Sequence, residues 1–156
     1  METVTRVLQD TGMDPRCLEL ELTESVAMQD VDSTLAILHN INALGVRIAI
    51  DDFGTGYSSL SYLSKFPVHT LKIDRSFVQD VLIDQDDASI VTAIIRLTHS
   101  LKLRALAEGV ESEGQLAFLR ERHCDEIQGY LFGRPTSAEL FTERFLLEHA
   151  ASPILG

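Results

Sequence analysis

An α/β fold, with βα units around a parallel sheet, is what the sequence predicts, and three observations predict it. Short apolar runs alternate with longer segments of helical period. Nearly every candidate strand delivers a polar residue at its C-terminal end, and in parallel α/β architectures those ends share the one face on which sites are built. A length of 156 residues with 45% apolar content is the size of one domain with a substantial core.

The elements follow in order. METVTRVLQDTG (1–12) has helical period and closes at Gly12. CLELELT (17–23) is the first strand, followed by Glu24, and it brings Glu21 toward the common face. VDSTLAILHNINALG (31–45) is a helix with Gly45 as its C-cap. VRIAID (46–51) is a strand that drives straight into Asp51 and Asp52. After a glycine turn, SSLSYLSKF (58–66) is helical, with Ser58 or Ser59 at its start. TLKID (70–74) is a strand ending in Lys72 and Asp74, and ASIVTAIIRLTHSLK (88–102) is a helix. RALAEG (104–109) ends in Glu108 with Glu111 just beyond, and GQLAFLRER (114–122) is the helix that follows. DEIQGY (125–130) brings Gln128, and SAELFTERFLLEH (137–149) closes the chain as a helix. The apolar faces Ile90 to Leu97 and Leu140 to Leu147 are expected in the core or a subunit contact.

Charge narrows the function. A net charge of −11, from 24 acids against 13 Lys and Arg, argues against DNA or RNA polymers held on a basic face. Phosphate chemistry on such a chain needs metal ions. The two cysteines, Cys17 and Cys124, have no metal-ligand spacing and are expected as buried, reduced thiols. No apolar run approaches the roughly 20 residues of a membrane span. The expectation is a cytoplasmic chain without membrane contact of its own, whose parent protein could be membrane-anchored. His39, His69, His99, His123 and His149 show no metal-ligand pairing and are expected to be structural or solvent-facing.

The acids carry the chemistry. Glu21, Asp51, Asp52 and Glu108 arrive from three strands, and four carboxylates cannot converge without a cation. Oxygen ligands of this kind suit Mg²⁺ or Mn²⁺, and one carboxylate can bridge two ions in a two-metal site. Lys72 among them is a positioner of water or of phosphate oxygens. Glu108 is a general base or a ligand. The glycines of the segment after Asp52 permit a lid-like loop that Glu24 can anchor. Taken singly, each signal has a plainer reading: ELTES as a capped helix start, DDFGTG as an acidic turn, Lys72 as an exposed lysine, Gln128 as a strand-end amide.

Taken together, ELTES, DDFGTGYSSL, LKIDRSFV, AEGVE and QGYLFGRP resemble, in order and spacing, the EAL-type phosphodiesterases that hydrolyse the bacterial second messenger cyclic di-GMP. The resemblance covers essentially the whole chain. It implies a modified TIM barrel, two Mg²⁺ or Mn²⁺ ions, and opening of one phosphodiester bond to give linear pGpG. It makes Glu21, Asp51 and Asp52 metal ligands, with Asp51 bridging, and Glu108 a second-metal ligand or general base. It makes Lys72 the positioner of the attacking water, with Gln128, Asp74 and Glu111 as supporting or substrate-side groups. Glu24 becomes the anchor of a regulatory loop of Phe53, Gly54, Thr55, Gly56, Tyr57, Ser58 and Ser59, which in the family lies near the dimer contact.

There are departures. The Glu-Ala-Leu triplet occurs nowhere, and the only asparagines, Asn40 and Asn42, fall in a predicted helix and not before ELTES where the family has an asparagine ligand. Barrels of this class run to about 250 residues. The expectation is therefore one EAL-type domain, residues 1–156, truncated at its N-terminus: a partial TIM-type barrel with about five of the usual eight strands. An open edge and an uncovered apolar interior would then drive self-association into a homodimer or higher assembly. The ion held by Asp51, Asp52 and Glu108 keeps its ligands, whereas the ion shared by Glu21 and Asp51 loses two. Weak or absent activity of the chain alone is expected. The alternative is a non-catalytic module that binds cyclic di-GMP or a protein, against which the intact Asp51, Asp52, Lys72 and Glu108 argue.

Overall fold

The computed structural model describes residues 2–55 and 60–143. Five strands, β1 (Glu19–Thr23), β2 (Arg47–Phe53), β3 (Thr70–Ile73), β4 (Arg104–Glu108) and β5 (Glu126–Gln128), form one parallel sheet in sequential order. The sheet is not closed, as expected of a partial barrel. The helices are α1 (Glu2–Thr11), α2 (Glu24–Ala27), α3 (Val31–Ala43), α4 (Leu60–Leu63), α5 (Arg75–Gln79), α6 (Gln85–Ser100), α7 (Glu113–Glu121) and α8 (Ala138–Phe141). Among the described residues no helix is long and apolar enough to cross a membrane.

The two faces of the sheet differ completely in chemistry. Ile48, Ile50, Leu71, Ile73, Ala105 and Ala107 face the helices and pack with Leu38 and Ile41 of α3, Val78 of α5, Val91, Ile94 and Ile95 of α6, and Leu116 and Leu119 of α7. Burying each large aliphatic side chain is worth about 2 kcal/mol, so this layer holds the fold together. The opposite face follows from register, because side chains alternate along a strand. Pairing of Glu19 with Arg47, Thr23 with Asp51, Thr70 with Arg104, Lys72 with Leu106, and Glu108 with Gln128 places those residues together on the inner face. Only Ala49 and Leu106 are apolar there, and both are buried. The expected uncovered apolar interior is thus corrected: the open sheet turns a polar surface inward, and its apolar side is covered by helices except beside β1, where Leu20, Leu22, Val26 and Ile37 line an open groove.

The tier nearest the strand starts is an ion-pair ladder. Arg47 Nε lies 3.1 Å from Glu19 Oε2, Thr70 Oγ1 donates to the same oxygen at 3.2 Å, and Arg104 pairs with Glu126.

Several boundaries differ from expectation for local reasons. A 3₁₀ turn at Pro15–Cys17, capped by the Asp14 side chain accepting from Arg16 N–H, delays β1 to Glu19. It leaves Cys17 exposed, while Cys124 is half-buried, so the expected pair of buried thiols is corrected. The unexpected α5 begins where Asp74 caps it, and Asp84 starts α6 at Gln85 by accepting from the N–H groups of Asp86 and Asp87. Leu140 is exposed and not part of the core. The remainder of the helix expected at 137–149, like the start of that expected at 58–66, lies outside the described residues.

Asp125 ties the start of β5 to its neighbours, since its Oδ2 accepts from Ala105 N–H at 2.8 Å and lies 2.9 Å from His99 Nε2. Burial alone would raise this carboxyl, but the Ala105 N–H and then His99 outweigh it and hold it below the usual carboxylate range. A depressed folded value means stability that is present above the unfolded value of about 3.9 and lost as pH falls through the folded one. Asp125→Ala is expected to cost about 1 kcal/mol at neutral pH, after screening of a partly exposed group. Urea titrations should show that gap narrowing as pH falls from about 5 through and below the unfolded carboxylate value, and a gap independent of pH would show that the carboxylate charge is not its source.

Candidate metal centre

A regular strand would send Asp51 and Asp52 to opposite faces. β2 avoids this with a shift in its register against β3 between Ile50 and Phe53, and with Asp52 in the left-handed region at φ 53°. An L residue pays about 1–2 kcal/mol for that conformation, least for Asp, Asn and Gly. The outcome is that Asp51, Asp52 and Glu108 each present an oxygen within 4.8 Å of the others.

Lys72 lies at the centre of the acids and is only 3% exposed. Its Nζ is 2.7 Å from Glu108 Oε1, 2.8 Å from Glu21 Oε2 and 3.0 Å from Asp51 Oδ1. Burial opposes the ammonium, yet the hydrogen bonds to Glu108, Glu21 and Asp51 outweigh it and its pKa rises. The reading of Lys72 as an ordinary exposed lysine therefore does not hold.

One ammonium does not balance four carboxylates. Burial pushes the Asp52 carboxyl up, and the charges of Asp51 and Asp74 add to it. Burial also raises Glu108, against the pull of Lys72. These are oxygen donors at separations that one cation with metal–oxygen bonds of about 2.1 to 2.5 Å can span. The residues fit a hard divalent cation by donor type and charge.

The other expected site residues are placed as follows. Asp74 caps α5, accepting from Ser76 N–H at 2.9 Å and from the Ser76 hydroxyl. Its carboxyl is also in contact with Asp52; burial raises it, but the Ser76 bonds prevail and lower it. Glu24 is 2% exposed, and its Oε2 accepts from Gly54 N–H at 3.0 Å, where the chain turns at φ 100°. Phe53 is buried, and Thr55 Oγ1 donates to Asp52 O at 2.8 Å. Gly56, Tyr57, Ser58 and Ser59 lie outside the described residues. Glu21 reaches Lys72 but does not join the three clustered acids. Glu111 donates its N–H to Gln115 Oε1 just ahead of α7.

Gln128 faces Glu108 across the β4–β5 pair and lines two hollows, which also share Gly129 and Tyr130. The smaller, about 170 Å³, lies among Arg75, Glu108, Glu111, Gln128 and Tyr130. The larger, about 740 Å³, continues past Tyr130 and Phe132 to Arg134, whose guanidinium lies 4.5 Å from the Tyr130 ring centroid. Arg75, Tyr130 and Phe132 were not among the expected site residues, although QGYLFGRP held the aromatic signal in plain view.

The model of the EAL domain family matches residues 1–135. A relative named cyclic di-GMP phosphodiesterase NbdA, from Pseudomonas aeruginosa, is 49% identical over 135 residues, which are 86% of this chain and 17% of that protein. The chain thus spans about a fifth or less of such a relative. The solved structure titled PaMucR phosphodiesterase, c-di-GMP complex, superposes with a TM-score of 0.88 at 49% identity, covering 90% of this chain and 57% of that one. A Klebsiella pneumoniae BlrP1 structure, titled as a manganese and cy-diGMP complex, superposes at 0.79 with 32% identity, covering 86% of this chain and 34% of that one. With a match over most of its length and ELTES, DDFGT and QGY on the strand ends of a partial barrel, the chain belongs to the EAL domain family.

Proposed function

We propose that this chain carries one metal site, complete within its own residues, of a phosphodiesterase that opens one bond of cyclic di-GMP to give linear pGpG. The observation that carries this reading is the convergence of Asp51, Asp52 and Glu108 oxygens beside the buried Lys72. Mg²⁺ or Mn²⁺ bound there supplies positive charge to a phosphoryl group and lowers the pKa of water. In the reaction one phosphorus–oxygen ester bond breaks, one forms to the oxygen of water, and the departing ribose oxygen takes up a proton.

The chain's own residues divide the rest of the work. Asp51, Asp52 and Glu108 hold the cation, and Glu21 with Asp51 offers half of a second site. Lys72 fixes the orientation of Glu108 and Asp51 and positions the attacking water. Gln128 supports the substrate beside Glu108. Tyr130 and Phe132, half-exposed in the larger hollow, offer faces on which a guanine can stack, worth about 1 to 3 kcal/mol per base. Glu24 holds the loop that begins at Gly54.

In this reading residues 1–156 form one EAL-type unit, cytoplasmic, in which the second ion's site is incomplete and turnover is slow at best. Association between copies would use the apolar groove beside β1, lined by Leu20, Leu22, Val26, Ile37 and Ile41, and not the polar sheet interior. The test is cyclic di-GMP with the purified chain in Mn²⁺, following nucleotide binding by calorimetry and pGpG by chromatography. We expect saturable, metal-dependent binding with turnover far below the usual enzyme range of about 1 to 10³ s⁻¹, both reduced at least about 100-fold by Asp52→Asn. A folded chain that binds no nucleotide in Mn²⁺ sinks the reading. Light scattering on the same samples reads the association, and a monodisperse monomer removes that part of it.

A further inference from the structure

Arg75 is the first residue of α5, directly after the capping Asp74, and lies exposed in the smaller hollow beside Glu108 and Glu111. Its guanidinium has no ion-pair partner among the described residues, and unlike Arg6, Arg96 and Arg120, which also have none, it lines a hollow together with Glu108 and Gln128. The backbone makes room for it. Gly109 sits at φ 71°, and a Cβ there would come within 2.6 Å of the Arg75 Cβ, so a bare backbone at 109 is what lets the arginine stem pass beside the end of β4.

A planar fork of N–H donors matches a phosphodiester better than a lone ammonium does. A cyclic dinucleotide carries two phosphodiesters, of which only one is opened at a time. The first takes its positive charge from the cation site and Lys72. The second keeps its charge throughout and needs a partner on the substrate path that leads from Glu108 toward Gln128 and Tyr130, which is where Arg75 stands.

We propose that Arg75 binds the second, uncleaved phosphodiester of the cyclic dinucleotide and so sets a preference for a two-phosphate ring over ligands with a single phosphodiester. The assignment rests on the metal-centre reading above. It concerns binding and involves no bond to the reacting phosphorus.

Calorimetry in Mn²⁺ with cyclic di-GMP and with GpG, a linear ligand with one phosphodiester, tests it on the full chain. Loss of a charge-assisted, two-pronged contact should weaken cyclic di-GMP about 10- to 100-fold in Arg75→Ala, with GpG changed less than about threefold. Arg75→Lys, which keeps the charge and loses the fork, should fall between. An equal loss for both ligands would make Arg75 a general source of positive potential and overturn the proposal. Unchanged cyclic di-GMP affinity in Arg75→Ala, with normal binding by the unsubstituted chain, overturns it alone. Failure of the unsubstituted chain to bind either ligand overturns it together with the metal-centre reading.

Discussion

Lys72→Met is expected to lower the stability of the metal-free chain by about 3 kcal/mol, and to lose much less when Mn²⁺ is present. Methionine keeps a stem of similar length, so the change isolates the charge. Without the ammonium, Glu21, Asp51 and Glu108 face one another with nothing between them. A cation bound to the acids replaces that charge, so the variant should bind Mn²⁺ more tightly than the unsubstituted chain, and in excess metal each tenfold difference in dissociation constant narrows the gap by about 1.4 kcal/mol. The sign with pH is also fixed. A raised lysine contributes stability below its unfolded value of about 10.4 and loses it only as pH rises through the folded one, so the contribution is whole at neutral pH. Urea midpoints of both proteins, in EDTA and in Mn²⁺, decide the matter. If the gap between them is the same in both buffers, the metal does not bind where Lys72 balances the charge.

Gly129→Ala is the larger structural insult, at about 4 kcal/mol. A Cβ at 129 would stand 2.1 Å from Val110 O and 2.3 Å from Val110 N, and both are backbone atoms that cannot rotate away. Those atoms are also committed: Val110 N–H donates to Gln128 O at 3.1 Å, and Leu131 N–H donates to Val110 O at 3.0 Å. Relief of the clash must break both bonds or push β5 away from β4, at about 1 kcal/mol for each bond and about 1 to 3 more for the displaced packing. Thermal and urea unfolding measure the loss. A cost under about 1 kcal/mol would mean that the turn after β5 is far softer than its hydrogen bonds suggest.

Much of the fold was open to reading, because the apolar runs that make β1 to β4 are bounded by helices of clear period. The acids at strand ends were legible for the same reason. The polar inner face is legible too: ELELT, RIAID, TLKI and RALAE alternate nearly perfectly, placing Glu19, Glu21, Arg47, Asp51, Thr70, Lys72, Arg104 and Glu108 on one side. The helix α5 has only five residues, too short for periodicity, and its signal is the single cap Asp74. The bulge that brings Asp52 beside Asp51 has no local signature, since it arises from pairing with β3. Arg75 gains its setting from Gly109, which is distant in sequence.

The left-handed backbone at Asp52 separates two kinds of selection at one codon. In a saturation library at position 52, Gly and Asn should yield soluble, folded protein because both accept positive φ at low cost, while Val, Ile and Thr should be depleted before any chemistry is tested. A screen for solubility and a screen for metal binding would then return different alphabets there, and aspartate is the one residue expected to satisfy both.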